Sequence, residues 1–344
     1  MTQTKATIRE VALRAGVSVT TVSHALNNAP GKRVSPATRQ RIRDAATELG
    51  YRPNRVAQSL RTQRTHTIGF LSDNIATTPY AGRMILGAQE AAAEAGSLLV
   101  LLSSGGDPDL EDLELAALND RQVDGIVYAS MFHRIVEPPA RLSPDHAVLL
   151  DARTANGGQF SSVVPDEIGG ARAAVEELLA NGHRRIAFIN NFEDYPAPHG
   201  RLAGYRQALE VYGVPVDPSL IVTASVQSAR DGFDLTMPLL SRDDRPTGLF
   251  CFNDQVAMGA YQAAREVGLS IPEDLSIVGF DDQELIAANL RPGLTTMQLP
   301  HYEMGRWAVR RLLEHRATND TEVTNALLPC PLVRRASVTS PPRR

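Results

Sequence analysis

Residues 7–28 read TIREVALRAGVSVTTVSHALNN, and this stretch decides the fold of the N-terminal part of the chain. Thr7 precedes Glu10 by three residues, which is the spacing of a capping box at the start of a helix. Gly16 ends that helix, and Ser18 can cap a second helix beginning at the next residue. Two short helices joined by a tight turn that contains glycine predict a helix-turn-helix.

A third helix would complete this small domain. Ser35 can cap it, and Pro36 stands at its first position, where the missing N–H costs nothing. The residues expected to form its core stripe are Ile42, Ala45, Ala46 and Leu49. The second helix of such a domain enters the major groove with its N-terminal residues at the base edges. Thr20 and Thr21 would hydrogen-bond bases or pack methyl groups on thymine, and Ser23 would reach a phosphate.

The charge of the chain is distributed unevenly. The first 64 residues contain twelve Lys and Arg against three Asp and Glu, a surplus of nine positive charges. The whole chain carries a formal charge of −4, so the remainder carries about −13. A basic folded block at one end of an otherwise acidic chain indicates a polyanionic partner for that block.

These strings carry a family resemblance. TIREVALRAGVSVTTVSHALNN, followed by RVSPATRQRIRDAATELGYRPNRVAQSL, resembles the DNA-binding head of the LacI/GalR family of bacterial transcriptional regulators. The match runs nearly unbroken from residue 7 to residue 60, and further matches extend to about residue 337. The specificity positions of that family correspond to Val19, Thr20 and His24. Because the third is often arginine, His24 is a departure that makes its contact weaker and sensitive to pH.

The resemblance implies a DNA-binding surface that includes a connector after the third helix. The residues expected to contact DNA are Thr7, Ser18, Val19, Thr20, Thr21, Ser23, His24, Asn27, Asn54, Arg55, Ala57, Gln58 and Leu60. Residues 54–60 form fewer than two helical turns, and a helix this short is marginal on its own. In the family this is a hinge helix that folds on DNA, with Leu60 inserted at a central base step of the minor groove. A segment that folds on binding is the natural point of regulation.

From Thr67 onward, short apolar runs alternate with amphipathic stretches. The apolar runs are residues 68–71, 98–103, 125–130, 147–151, 185–190, 248–253 and 276–281. The amphipathic stretches are residues 80–95, 109–120, 168–181, 202–212, 229–240 and 254–267. Continuous apolar strands alternating with helices predict parallel sheets covered on both faces. This number of units is too large for one small sheet and favours two similar lobes.

The expected fold is therefore an all-α helix-turn-helix head, of lambda-repressor type, joined to an α/β core. The resemblance implies that this core is periplasmic-binding-protein-like, with two doubly wound parallel-sheet lobes. The expected domains are residues 1–52 for the head and 53–66 for the hinge helix and linker. The lobe nearer the head would comprise residues 67–162 and 294–322, and the distal lobe residues 163–293 and 323–338. Residues 339–344 would form a disordered tail.

Polar residues follow several of the predicted strands. Ligands of open parallel sheets bind beyond the carboxyl ends of the strands. The family's effector-binding positions correspond to Asp151, Arg201, Asn253 and Asp281, with Arg201 placed at the start of a helix after a loop. The full set expected to bind the effector is Asn74, Thr78, Tyr80, Asp151, Arg201, Asn253 and Asp281. Paired donors and acceptors with an aromatic ring suit a polyhydroxylated ligand, so a sugar is expected, and a nucleoside or purine is the alternative.

The remaining features narrow the class of protein. Asp73, Asp151 and Asp281 resemble the carboxylates of a hydrolase, but the chain has no G-x-S-x-G, H-E-x-x-H or Walker A motif, so no enzyme is expected. Cys251 and Cys330 show no metal-ligand spacing, and neither a metal nor a cofactor is expected. A charged N-terminus and the lack of a long apolar run argue against a secreted sugar-transport protein or a membrane protein. The sequence predicts a cytoplasmic homodimeric repressor of carbohydrate-utilisation genes, bound to a pseudopalindromic operator with a central CpG.

Overall fold

A computed structural model describes residues 6–26, 34–51, 64–75, 81–318 and 322–342 of the chain. These residues belong to two compact units, Met1–His66 and Thr67–Arg344. We describe each unit separately.

The first unit contains three helices, α1 (Ile8–Ala15), α2 (Val19–Leu26) and α3 (Pro36–Glu48). The capping box at Thr7 and Glu10 is present, and Gly16 ends α1 in the left-handed conformation with φ of 65°. The fully buried residues Val11, Val22 and Ile42 bring one residue from each helix into a common core. The predicted helix-turn-helix is confirmed.

One residue of the predicted α3 core stripe was assigned wrongly. Ile42, Ala45 and Ala46 are buried, but Leu49 is 36% exposed. The reason is that α3 ends at Glu48, so Leu49 is the C-cap residue and no longer follows the helical stripe.

The second unit contains twelve strands in two sheets. The strands are β1 (Thr67–Ser72), β2 (Leu98–Ser103), β3 (Gly125–Ile135), β4 (Ala147–Arg153), β5 (Ser161–Pro165), β6 (Ile186–Asn191), β7 (Ile221–Ala224), β8 (Gly248–Cys251), β9 (Ser276–Asp281), β10 (Thr295–Gln298), β11 (Asn325–Leu328) and β12 (Leu332–Val333). The first sheet has the order β11-β5-β4-β3-β1-β2, and the second has the order β12-β10-β9-β8-β6-β7. Every described strand pairing is parallel except that of β10 with β12.

Seven helices cover the two sheets. They are α4 (Ala81–Glu94), α5 (Pro108–Asp120), α6 (Glu167–Ala180), α7 (Pro196–Val211), α8 (Ala229–Leu240), α9 (Asp254–Glu266) and α10 (His301–Thr318) among the described residues. Helices α4 and α10 pack together on one face of the first sheet, and α5 packs on the other, which forms lobe 1. The pairs α6–α7 and α8–α9 cover the two faces of the second sheet, which forms lobe 2. This is the expected two-lobed, doubly wound core.

The chain crosses between the lobes later than the sequence predicted. The expected crossings lay near residues 162, 294 and 322. Strand β5 stays in the first sheet to Pro165, and β10 stays in the second sheet to Gln298. Strand β11 then belongs to the first sheet to Leu328. The differences arise because β5, β10 and β11 are short and were not recognised as strands, so their backbone hydrogen bonds to a sheet could not be anticipated.

The expected disordered tail at residues 339–344 is also wrong for Thr339. Its carbonyl oxygen lies 2.8 Å from Nε2 of the buried His183 and accepts a hydrogen bond from the Ser276 hydroxyl at 3.2 Å. Its N–H donates back to the Ser276 hydroxyl at 3.1 Å. These buried polar groups hold the end of the described chain against lobe 2.

Among the described residues, no helix has both the length and the apolar composition needed to cross a membrane.

Candidate functional site

The exposed side of α2 carries the residues expected to contact DNA. Ser18, Val19 and Thr20 are exposed, and Val19 is 40% exposed although it is apolar. Thr21, Ser23 and His24 are half-buried, while Val22 and Ala25 face the core. The helix therefore presents a short polar face at its N-terminal end, as a helix that reads base edges does.

Three of the predicted DNA-contacting hydroxyls have structural partners. The Ser18 hydroxyl accepts a hydrogen bond from the Thr21 N–H at 3.1 Å and lies 2.8 Å from the Thr21 hydroxyl. The Thr7 hydroxyl donates to the Glu10 carboxylate at 3.0 Å. Ser18 and Thr7 thereby cap α2 and α1. Thr20 is a more exposed candidate for base contacts than Thr21.

Several predicted site residues lie outside the described ranges. They are Asn27, Asn54, Arg55, Ala57, Gln58 and Leu60 of the DNA-binding set, and Thr78 and Tyr80 of the effector set. The predicted hinge helix, residues 54–60, lies outside them as well.

Four predicted effector residues line one cleft between lobe 1 and lobe 2. The cleft encloses about 430 Å³ of space, part of which is open to solvent. Its lining residues are Met131, Phe132, His133, Asp151, Pro165, Glu167, Ala197, Arg201, Gln227, Phe252, Asn253, Asp281, Leu299 and His301. We call this the interlobe cleft. Of the other predicted effector residues, Asn74 is exposed and does not line it.

Arg201 lies inside α7 rather than at the start of a helix. Helix α7 begins at Pro196, five residues before Arg201, and the expected loop is its first turn. Prolines are tolerated there because the first N–H groups of a helix have no partner within it. This placement buries Arg201 to 3% exposure in the wall of the cleft.

Arg201 is held on several sides by lobe 2. Its Nε donates to Glu167 Oε2 at 2.7 Å, and its Nη1 donates to the carbonyl oxygen of Phe252. The centre of its guanidinium lies 4.3 Å from the ring centroid of Phe252 and 3.8 Å from that of Phe280. Nη1 is also 3.8 Å from Asp281 Oδ1. The guanidinium is thus fixed in place before any ligand arrives.

Asp151 lies in lobe 1 and faces these lobe 2 residues. It adopts the left-handed conformation with φ of 54°, and its Oδ1 is buried without a hydrogen-bond partner among the described atoms. Burial raises its pKa well above the ordinary value, and the nearby Glu167 carboxylate raises it further. A buried acceptor without a partner is costly unless a ligand supplies a donor.

Asp281 and Asn253 close the lobe 2 side of the cleft. Burial raises the pKa of Asp281 to about 6, and the opposing effect of Arg201 is smaller. Asn253 caps α9, because its side chain accepts a hydrogen bond from the Val256 N–H at 2.8 Å. Asp254, the first residue of α9, accepts hydrogen bonds from the Thr296 hydroxyl and the Gln283 N–H.

The cleft also contains residues that sequence reasoning missed. Glu167 is 5% exposed and follows the N-cap residue of α6. His133 is 6% exposed, and neither ring nitrogen has a hydrogen-bond partner among the described atoms. Burial lowers the pKa of His133 and of His301 to about 4 in each case. The aromatic rings of Phe132 and Phe252 complete the lining.

Two further features describe the chemistry of the second unit. Across the described ranges, no group of three or more His, Cys, Asp or Glu side chains is arranged to hold a metal ion. Arg134 of lobe 1 lies 5.2 Å from the ring centroid of Tyr195 in lobe 2 and pairs with Asp73 at 3.4 Å. The lobes are therefore in contact through a cation–π pair at this point.

A helix-turn-helix unit in one chain with a two-lobed α/β core and an interlobe cleft defines a DNA-binding regulator with a sensor domain. Residues 7–54 match the model of bacterial regulatory proteins of the lacI family, and residues 175–338 match that of a periplasmic binding protein-like domain. The chain belongs to the LacI family of bacterial transcriptional regulators, and its relatives are regulators rather than enzymes.

Relatives and solved structures cover nearly the whole chain. The HTH-type transcriptional regulator RegA of Clostridium saccharobutylicum is 34% identical over 96% of this chain and 98% of its own. The HTH-type transcriptional repressor CytR of Escherichia coli strain K12 is 34% identical over 99% of this chain and 98% of its own. The lac repressor dimer bound to operator and the anti-inducer ONPF is 28% identical, with a TM-score of 0.77 over 98% of this chain and 100% of that one. The CelR–cellobiose complex is 30% identical, with a TM-score of 0.68 over 97% of this chain and 100% of that one.

Proposed function

We propose that this protein is a cytoplasmic repressor of carbohydrate-utilisation genes whose operator binding is controlled by a sugar in the interlobe cleft. The observation that carries the proposal is the convergence of Asp151, Arg201, Asn253 and Asp281 on one cleft between the lobes. Asp151 comes from lobe 1 and the other three come from lobe 2. A ligand that contacts both sides would favour one lobe angle over others, which is the requirement for an allosteric effector.

The polar lining supports a hydroxyl-rich effector. The buried Asp151 Oδ1 and the ring nitrogens of His133 are unpartnered among the described atoms, and sugar hydroxyls can donate to or accept from them. The solved complex of CelR contains cellobiose, and another similar structure contains ribose, so related folds hold sugars.

A nucleoside is the second candidate effector. Phe132 and Phe252 line the cleft, and aromatic faces can stack on a nucleobase. This second candidate rests on the aromatic lining alone. A panel of sugars and nucleosides therefore has to be tested together.

Operator binding is proposed to use α2 in the major groove and the hinge segment in the minor groove. The exposed polar residues at the N-terminal end of α2 support its place in the major groove. The surplus of positive charge in the first 64 residues supports contacts to phosphates. The hinge contacts of Leu60 rest on the sequence resemblance.

A homodimer is proposed because an operator pseudopalindrome pairs with a two-fold symmetric protein. The edge strand β2 and helix α5 of lobe 1 expose apolar side chains, with Leu98 61% and Leu113 65% exposed. An unpaired strand edge with exposed leucines is a usual place for a partner chain.

The dimer face predicted from residues 80–95 remains a prediction. Leu86 of α4, which is 47% exposed, would lie on that face.

The test of the function combines operator binding with ligand binding. Gel-shift titrations on a palindrome with a central CpG should show affinity that falls steeply as salt is raised, because bound phosphates release counterions. A mono- or disaccharide should raise the melting temperature of the core and change the operator affinity. Salt-independent DNA binding would contradict the DNA-binding proposal, and a response to nucleosides but to no sugar would replace the sugar with the second candidate.

Leu60→Ala tests the hinge separately from the sensor. We expect operator affinity to fall at least tenfold, because the apolar wedge that holds the bent duplex is lost. Sugar affinity should be unchanged, because the interlobe cleft is formed by the second unit alone. Leu49→Ala is the matched control, since it shortens an exposed leucine in the same unit without removing the wedge. Equal loss of operator and sugar binding would contradict the assignment of the hinge.

A further inference from the structure

The interlobe cleft contains more carboxyl groups than groups that are positively charged near pH 7. The carboxyl groups of Asp151, Glu167 and Asp281 line it, and Arg201 is the one arginine among the described lining residues. His133 and His301 also line it, but burial lowers the pKa of each to about 4, so both are neutral near pH 7. Burial also raises the pKa of Asp151 well above its ordinary value, so Glu167, Asp281 and the single guanidinium of Arg201 carry most of the charge that a ligand meets.

The guanidinium of Arg201 is already engaged. Its Nε side faces Glu167 Oε2 at 2.7 Å, and its Nη1 donates to the Phe252 carbonyl. A carboxylate or phosphate is bound most strongly when a guanidinium offers two parallel N–H groups. Because the Nε–H of Arg201 already donates to Glu167, Arg201 cannot offer this N–H as one of two parallel donors to a second anion.

The other nearby arginines do not line the cleft and so add no positive charge to its lining. Arg134 pairs with Asp73 at 3.4 Å and lies against the Tyr195 ring. Arg153 and Arg83 are exposed and lie outside the lining, although Arg153 is close enough to lower the pKa of His133. An anionic group in the cleft would therefore lie near three carboxyl groups, and the one guanidinium in the lining is already paired with Glu167.

We infer that the effector of this protein is uncharged or cationic, and that Glu167 excludes phosphorylated and acidic ligands by occupying Arg201. The inference rests on the proposed function and narrows the effector to unphosphorylated sugars, amino sugars or nucleosides. A neutral ligand supplies hydroxyl donors to Asp151 and Asp281 and leaves the Glu167–Arg201 pair intact. An anionic ligand adds a like charge beside Glu167 and Asp281, and like charges brought together in a binding site weaken affinity strongly.

Matched ligand sets test the inference on the full-length protein. One set is glucose, glucosamine, gluconate and glucose 6-phosphate, and others pair ribose with ribose 5-phosphate and cytidine with its 5′-monophosphate. Isothermal titration at pH 7.5 would give each dissociation constant. We expect the neutral or amino member of a set to bind at least a hundredfold more tightly than its acid or phosphate.

Glu167→Gln tests the role of the carboxylate. Glutamine keeps an oxygen that can accept from Arg201 Nε but removes the negative charge. We expect the ratio of anionic to neutral affinity to rise at least tenfold. The matched control is Glu176→Gln on the same helix, which removes an equal charge at a residue paired with Arg172 away from the cleft. That control should leave the ratio unchanged.

The outcomes separate the inference from the proposed function. An anionic member that binds as tightly as its neutral parent would overturn the inference and leave an effector-controlled repressor standing. The same ratio change in the Glu167 and Glu176 variants would overturn the role of Glu167. No binding by any member, with operator binding intact, would overturn both the proposed effector classes and the inference.

Discussion

Single buried side chains determine how the interlobe cleft responds to pH. Burial lowers the pKa of His133 from 6.5 to about 4, with smaller effects from Arg153 and Arg201. A histidine with a lower pKa in the folded chain contributes stability that is complete above pH 6.5 and is lost as the pH falls towards 4. Between pH 7.5 and 5, this amounts to about 2 kcal/mol of unfolding free energy.

His133→Gln should remove this part of the acid sensitivity. Urea unfolding at the two pH values, followed by fluorescence of Trp307 in lobe 1, should show a difference smaller by about 2 kcal/mol than in the parent. Asp281, with a pKa raised to about 6, has the opposite sign, because lowering the pH through 6 stabilises the folded state. That contribution is present in both proteins and cancels. His199→Gln removes a histidine that is 67% exposed, and an equal effect there would contradict burial as the cause.

At the same scale, the sequence could identify some cleft residues and not others. Asp281 ends β9, Asp151 lies two residues before the end of β4, and Asn253 caps the helix that follows β8, so the rule for parallel sheets finds all three. His133 was missed because β3 was expected to end at residue 130, whereas it continues to Ile135. Glu167 was missed because a glutamate at the start of a helix is usually explained by the helix dipole. Its contact with Arg201 depends on how α6 packs against α7, which no local pattern records.

At the scale of elements, close helix packing holds each lobe together. Gly87 of α4 lies against the start of α10, and an added Cβ would stand 2.0 Å from the carbonyl oxygen of Tyr302. A backbone atom cannot move aside as a flexible side chain can. The strand and helix pattern predicted α4, but α10 and five short strands were not recognised, because the buried stripe of α10 includes two histidines and a glycine, and short strands carry little pattern. The glycine contacts between helices were equally unpredictable from the sequence.

Gly87→Ala should destabilise lobe 1 by about 1–3 kcal/mol or more, because the two helices must separate. Gly82→Ala on the same helix is the matched control. A Cβ there meets no atom of the described residues within 4 Å, so alanine should be neutral or stabilising by up to about 1 kcal/mol. Denaturant unfolding followed through Trp307 distinguishes the two. Similar stabilities for both variants would show that the α4–α10 contact can relax.

At the scale of the whole molecule, the proposed operator and the proposed effector bind to different units of one chain. The head has a polar recognition helix, and the cleft lies between two lobes with separate cores. Asp151 on lobe 1 and Arg201 on lobe 2 make the cleft sensitive to the lobe angle. The contact of Arg134 with Tyr195 would change with the same angle. A ligand in the cleft can therefore affect the head only if it binds one arrangement of the two lobes more tightly than another.

This coupling must be reciprocal, and its two sides can be measured independently. If a saturating sugar weakens operator binding by a given factor, saturating operator must weaken sugar binding by the same factor. Couplings of this kind are typically about 5- to 150-fold, or about 1–3 kcal/mol. Fluorescence anisotropy of labelled operator gives the first factor, and calorimetric titration of the sugar onto the operator complex gives the second. Non-operator DNA at the same salt concentration is the control. A sugar that releases operator but binds equally well to the free protein and the operator complex would contradict the proposed coupling, because the binding event that was titrated could not be the one that releases operator.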